Sequence, residues 1–116
     1  MDKYKTFLLF PVFKNYKFCQ NKIFNQNNFI FRSAETRSLV QALDGSIVFE
    51  KIININIPKP SLLFSKTVSD QIKYNFNLDE VDLIIIDCSL SPIQHRNLER
   101  FFDKKIIDRT QLIIEI

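Results

Sequence analysis

The chain has 116 residues, a length that suits one domain. Hydrophobic residues make up 46% and charged residues 25%, which is ordinary for a globular domain. The formal net charge of +3 permits contact with nucleic acid without indicating it. The sequence contains one glycine, Gly45, whereas both common phosphate-binding loops need at least two. We therefore predict a single domain that does not hydrolyse a nucleotide on its own.

The cysteines and the apolar segments predict an intracellular chain. Cys19 and Cys88 are too far apart in the sequence to form a metal-binding pair, so we interpret them as reduced thiols. The apolar residues 6–13 include Pro11 and lack a small-residue cleavage site, which favours a core strand over a signal peptide. No apolar run approaches the ~18 residues that cross a bilayer. We expect a cytoplasmic protein with no membrane contact.

The chain begins with a strand and a long connection. Residues 6–10 are apolar throughout, which is typical of a strand buried on both faces. Residues 14–31 are rich in Lys, Asn, Gln and Phe and are interpreted as a connection. We expect Ile30 and Phe31 to pack onto the core at its end.

The first predicted helix leads into a second strand. Ser33 is its expected N-cap, and Glu35 lies in the first turn, where it complements the helix dipole. Gly45 is expected to end the helix as a left-handed residue. Residues 47–57 are then rich in strand-forming residues, and at 53–57 isoleucines alternate with asparagines, which predicts a half-exposed edge strand that Pro58 terminates.

The second half of the chain repeats the alternation of helix and strand. Residues 66–74 predict a helix, and residues 81–87 predict a central strand. The third helix has the clearest local signal, with Ser91 as N-cap, Pro92 at the first helical position and Gln94 closing a capping box.

The last elements complete an α/β fold. Ile106 and Ile107 predict a short strand, and Thr110 is the expected cap of a final helix that starts at Gln111. Strands separated by helices imply parallel pairing. We predict a small four-stranded, mostly parallel sheet with flanking helices, in the chain order β-α-β-α-β-α-β. The expected strand order is 2-1-3-4, with the half-polar second strand at an edge.

Two residues are candidates for a catalytic group. His95 is the only histidine and is expected on the solvent side of the third helix, so no catalytic triad is predicted. Asp87 ends the central strand, where it resembles the phosphoacceptor of a receiver domain. The Mg²⁺ that such chemistry needs has no acidic pair after the first strand. We therefore expect Asp87 to bond backbone groups in the turn before Ser91.

Basic residues concentrate around the third helix and the strand that follows it. Acidic residues are interspersed among them, so the charge pattern alone is typical of a solvated face. The residues of this group are Arg96, Arg100, Lys104, Lys105 and Arg109.

Three segments near the end of the chain resemble a known family. They are residues 90–99, 107–110 and 112–116. Together they are similar to the N-terminal domain of the HflX GTPases, which typically carries L-S-P-x-Q-x-R-N-L-E followed by V-x-D-R-T-x-L-I-L-x-I-F. The resemblance covers most of the chain. One departure is clear: where the family usually has G-S-G-K-V, this chain has residues 65–69, without glycine or the aligned lysine.

The resemblance implies a function and a set of partners. It implies an HflX-like α/β domain over residues 1–110, with residues 111–116 starting a truncated helix. The domain would bind the large ribosomal subunit and its RNA, without catalysis of its own, in a family that splits or rescues ribosomes. No DNA and no membrane would be partners. The full-length family uses GTP and Mg²⁺, so this chain would hold no cofactor, and a GTPase domain could lie on a missing or separate chain.

The resemblance also divides the candidate residues into two groups. The five basic residues above become candidates for ribosomal RNA contact. The other motif residues have an expected structural role, and they are Ser91, Pro92, Gln94, Asn97, Leu98, Glu99, Asp108 and Thr110. Two alternatives stay open, namely a non-functional remnant of a split gene and a receiver-like phosphoacceptor module based on Asp87.

Overall fold

The computed structural model describes residues 4–13 and 29–114. In chain order, the elements of these residues are β1 (Tyr4–Phe13), α1 (Phe29–Ala42), β2 (Gly45–Ile55), α2 (Lys66–Asn75), a 3₁₀ helix (Leu78–Glu80), β3 (Leu83–Ile86), α3 (Pro92–Phe102), β4 (Lys105–Asp108) and α4 (Arg109–Ile114). Among the described helices, none has the length and apolar character needed to cross a membrane.

The four described strands form one parallel sheet in the order β2-β1-β3-β4. This confirms the predicted fold class, the strand order and the edge position of β2. The strand β1 pairs with β2 along its whole length, from Tyr4 opposite Gly45 to Phe13 opposite Ile55. The much shorter β3 and β4 continue the sheet on the other side of β1.

The alternation of side chains along β1 builds a core on each face of the sheet. Phe7 and Leu9 belong to the core that α2 and α3 cover. Leu8 and Phe10 belong to the smaller core beneath α1 and α4. All four side chains are fully buried. A continuous apolar run is therefore required at this position, since both faces of a central parallel strand lose contact with water.

The helix α1 begins earlier than predicted. Ser33 lies inside the helix rather than at its N-cap, and its hydroxyl donates to the carbonyl of Ile30 at 3.0 Å. A serine hydroxyl that bonds to a carbonyl of the preceding turn lies within a helix and does not cap its start. The predicted packing of Ile30 and Phe31 is also wrong, because their exposed fractions are 77% and 81%. Residues 14–28 of the expected connection lie outside the described residues.

Gly45 has a different role from the one predicted. The left-handed residue after α1 is Asp44, with φ of 62°, and Gly45 is the first residue of β2. A Cβ at Gly45 would lie 2.5 Å from Val40 Cγ1 and 2.8 Å from the Val40 carbonyl oxygen. Glycine is needed here because the strand passes against the last turns of α1.

The stretch that departs from the family pattern opens the helix α2. The Ser65 hydroxyl accepts a hydrogen bond from the backbone N–H of Val68 at 3.2 Å, which makes Ser65 an N-cap. Residues 65–69 therefore form a capped helix start rather than a glycine-rich loop.

Candidate functional site

Asp87 is the centre of a buried polar cluster at the carboxyl end of β3. Its side chain has no exposure, and both carboxylate oxygens are engaged by other side chains. One oxygen accepts from Arg32 Nε at 2.9 Å. The other accepts from the Thr36 hydroxyl and from Arg109 Nη1, each at 2.8 Å. The prediction that Asp87 bonds backbone groups in the next turn is wrong.

The two arginines connect this cluster to several elements. Arg32 also donates through Nη2, at 2.9 Å, to the carbonyl of Pro11 in β1. Arg109 also donates to the Thr36 hydroxyl at 2.8 Å and pairs with Glu35 at 3.2 Å. The cluster thus joins β1, α1 and α4 to the end of β3, and we call it the Asp87 hub.

The hub occupies the position where α/β sheets often bind ligands, outside the carboxyl ends of neighbouring strands. Here the position is filled by the protein's own charges. Asp87 is inaccessible to a phosphodonor, and its negative charge is already matched by Arg32 and Arg109. This geometry argues against the receiver-like phosphoacceptor module. Within the described residues, no group of three or more His, Cys, Asp or Glu side chains could hold a metal ion.

The N-terminus of α3 shows the predicted capping box. The Ser91 hydroxyl accepts from the backbone N–H of Gln94 at 3.1 Å, and the Gln94 side chain accepts from the backbone N–H of Ser91 at 3.0 Å. Pro92 is the first residue of the helix. These contacts confirm the predicted N-cap, first helical residue and capping box of α3.

Two amides of α3 also hold a neighbouring loop. Gln94 donates through Nε2 to the carbonyl of Lys59 at 2.8 Å. Asn97 donates through Nδ2 to the carbonyl of Ser61 at 3.1 Å. Residues 59–63 are thereby attached to the side of α3, a contact that the sequence analysis missed.

The next turn of α3 covers the outer edge of β4. Glu99 accepts from the backbone N–H of Ile106 at 3.3 Å, and the Ile106 carbonyl lies 2.6 Å from His95 Nε2. His95 is therefore half-buried against β4, and its expected position on the solvent side is wrong. Its other ring nitrogen lies 3.7 Å from Glu99. Leu98 is fully buried in the core.

The cap of α4 is Asp108 rather than Thr110. Asp108 accepts from the backbone N–H of Gln111 at 2.9 Å, and the Gln111 side chain accepts from the backbone N–H of Asp108 at 3.3 Å. The second Asp108 oxygen accepts from the N–H of Leu90 at 3.1 Å. Thr110 instead shares a hydrogen bond of 3.2 Å with the hydroxyl of Ser89.

The structure separates the five basic candidates. Arg96 and Arg100 are exposed on α3. Lys104 donates to the carbonyl of Val81 at 2.9 Å. Lys105 borders an apolar groove of about 360 Å³ beside α1 and α4, on the other face of the sheet. Arg109 is only 8% exposed and belongs to the Asp87 hub. The five residues therefore do not form one continuous surface.

Cys88 follows the hub and is also buried. Burial raises the pKa of its thiol far above the ordinary range, and the adjacent Asp87 charge adds to the effect. A thiol held in its protonated form is a poor nucleophile. Cys88 is free, in agreement with the expected reduced thiol, whereas Cys19 lies outside the described residues.

Comparisons with known proteins assign a class to this fold. The family of GTP-binding GTPase N-terminal domains matches residues 32–116. The chain belongs to this family and is an HflX-type N-terminal domain.

Named relatives show the same relationship. The GTPase HflX of Magnetococcus marinus is 32% identical over 66 residues, which are 57% of this chain and 15% of that protein. A chloroplastic GTP-binding protein of Arabidopsis thaliana is 40% identical over 63 residues, which are 51% of this chain and 10% of that protein. The aligned region thus spans about a tenth to a seventh of these relatives.

A solved structure supports the fold. The GDP complex of a GTP-binding protein from Sulfolobus solfataricus matches 96% of this chain and 29% of its own, with a TM-score of 0.61 and 21% identity.

Proposed function

We propose that this chain is the ribosome-binding domain of an HflX-type GTP-binding protein, with the large ribosomal subunit as its partner and the cytoplasm as its compartment. The observation that carries the proposal is the family match over residues 32–116, which includes both motif-bearing helices, α3 and α4. The resemblance to the HflX GTPases, which implies a ribosomal partner, supports the proposal.

We further propose that the domain contributes binding and not catalysis. The carboxylate at the usual ligand-binding edge, Asp87, is buried and paired with two arginines. The whole sequence has one glycine, and the structure uses it for close packing against Val40. GTP and Mg²⁺ would then be bound by a GTPase domain elsewhere in the full-length protein or on another chain.

Co-sedimentation with purified ribosomal subunits tests the proposal. The chain should pellet with large subunits at low salt and be released as the salt concentration rises, because phosphate contacts exchange for counterions. Small subunits are the matched control and should carry less of the chain. Absence from the large-subunit pellet at low salt, or equal amounts with both subunits, would contradict the proposal. Phosphate release from GTP by the purified chain would contradict its non-catalytic part.

A further inference from the structure

The two edges of the sheet differ in how their outer backbone groups are used. On β4, the N–H of Ile106 donates to Glu99 at 3.3 Å, and the Ile106 carbonyl lies 2.6 Å from His95 Nε2. The N–H of Asp108 donates to the Gln111 side chain at 3.3 Å. Side chains from α3 and α4 therefore occupy hydrogen-bonding groups of this edge, which hinders another strand from pairing there.

The backbone direction along β1 shows which residues of β2 face the opposite edge. The carbonyl of Leu9 accepts from the N–H of Asp87, on the β3 side of β1. Residues alternate in direction along a strand, so residues 8, 10 and 12 of β1 turn their backbone groups towards β2. In a parallel ladder, the residues directly opposite these point away from β1. They are Glu50, Ile52 and Asn54.

These three residues form an open strand edge. All three are exposed, and no hydrogen bond among the described residues uses their outward N–H and C=O groups. The β-bulge at Val48 and the end of β2 at Ile55 limit the open stretch. Ile52, with an exposed fraction of 50%, adds an apolar side chain at its middle. An edge of this kind is a template for pairing with another strand.

The open edge is complementary to a second copy of itself. A twofold axis perpendicular to the sheet and centred on Ile52 places two copies of β2 antiparallel. Ile52 then lies opposite Ile52 of the second copy, and Glu50 lies opposite Asn54. Each of these pairs can exchange two backbone hydrogen bonds, because all three residues direct their groups outward. The two isoleucines meet at the axis, and the carboxylate of Glu50 meets the amide of Asn54.

The charges of β2 select this register over its neighbours. An axis centred on Glu50 would place the two Glu50 carboxylates opposite each other, and one centred on Lys51 would do the same to the two ammonium groups. Like charges directly opposite are destabilising. An axis centred on Ile53 would lose the pairing of Glu50 with a strand residue, since residue 56 lies beyond β2.

We infer that this chain forms a symmetric dimer by antiparallel pairing of β2, which joins the sheets of two copies into one continuous sheet. The surface lies at the opposite end of the sheet from β4, so the inference does not depend on the proposed function. Pairing of two edges buries little area beyond the strands themselves. The dimer therefore belongs to the weak class, whose population depends on concentration.

Sedimentation equilibrium of the whole chain over a concentration series tests the dimer. The mean mass should rise from monomer towards dimer as the concentration increases. Ile52→Lys places two lysines opposite each other at the axis and should raise the dissociation constant roughly tenfold. Ile113→Lys is the matched control, because Ile113 is 52% exposed on α4, and it should leave the constant unchanged. Circular dichroism checks that both variants are folded.

Cysteine cross-linking tests the register. In a Cys19→Ser background, Ile52→Cys should form a disulfide-linked dimer on mild oxidation, because paired Cα atoms about 5.5 Å apart are within reach of a disulfide. Lys51→Cys is the matched control, since its two copies would lie roughly 8 Å apart and should not be linked. Cys88 does not compete because it is buried.

Four results would overturn the inference. The first is a monomeric mass at concentrations up to about 1 mM. The second is a dissociation constant of Ile52→Lys equal to that of the wild type. The third is an equal loss of association in Ile113→Lys, which would move the contact to α4. The fourth is linking of Lys51→Cys as fast as Ile52→Cys, which would exclude the register centred on Ile52.

Discussion

The Asp87 hub makes a strong prediction about stability. Asp87→Asn keeps the size of the side chain and removes its charge, which leaves Arg32 and Arg109 without their buried counter-charge. Breaking a buried ion pair by removing one partner costs about 3–5 kcal/mol. A domain of this kind has about 5–15 kcal/mol in total. The free energy of unfolding should therefore fall by at least about a fifth.

Urea unfolding followed by circular dichroism measures this loss. Glu50→Gln is the matched control, because Glu50 pairs with Arg37 at 2.8 Å on the surface, where the side chains are 35% and 39% exposed. Exposed pairs contribute about 0–1 kcal/mol, so the control should change stability little. A loss below about 1 kcal/mol for Asp87→Asn, equal to that of the control, would refute the argument that the hub depends on a buried charge.

The fold makes four further predictions, each checked by chemical denaturation or thiol labelling. Gly45→Ala should destabilise the domain by about 1–3 kcal/mol through overpacking against Val40, whereas Asp44→Gly should be neutral or stabilising because it relieves a left-handed φ. Ser91→Ala should cost about 1 kcal/mol by removing the cap of α3. Because burial raises the pKa of Cys88, its thiol should resist alkylation at about pH 8 until the protein unfolds. Above about pH 8.5 the unfolded thiol ionises while the folded one does not, so stability should fall as pH rises.

The sheet could be predicted because its signals are local. The run at residues 6–10 and the three isoleucines of residues 84–86 are apolar on both faces, as central parallel strands require. The capping box of α3 was also predictable, since its partners are three residues apart. The similar box of α4, formed by Asp108 and Gln111, has the same spacing and could have been found by testing Asp as well as Thr for the cap.

The candidate site was less predictable because its partners are distant in sequence. The bonds from Arg32 and Thr36 to Asp87 cross 55 and 51 residues. No local pattern indicates which buried carboxylate an arginine will meet. Arg109 was counted with an exposed basic face for the same reason, although it is buried.

His95 shows a second limit of reasoning from one helix. The spacing of His95 along α3 indicates a solvent-facing residue. In the structure, however, its Nε2 lies 2.6 Å from the carbonyl oxygen of Ile106 on the edge strand β4. Edge strands need such cover to avoid pairing with other chains. This requirement for cover comes from the sheet, so the sequence of the helix alone does not predict it.

The most direct test of the account is the binding constant of the wild-type chain for purified large ribosomal subunits, measured across a salt series from about 50 to 200 mM. The account predicts measurable binding at the low end that declines linearly in log binding constant against log salt. Binding that is absent at low salt, or that does not respond to salt, would contradict the claim that this domain docks on ribosomal RNA.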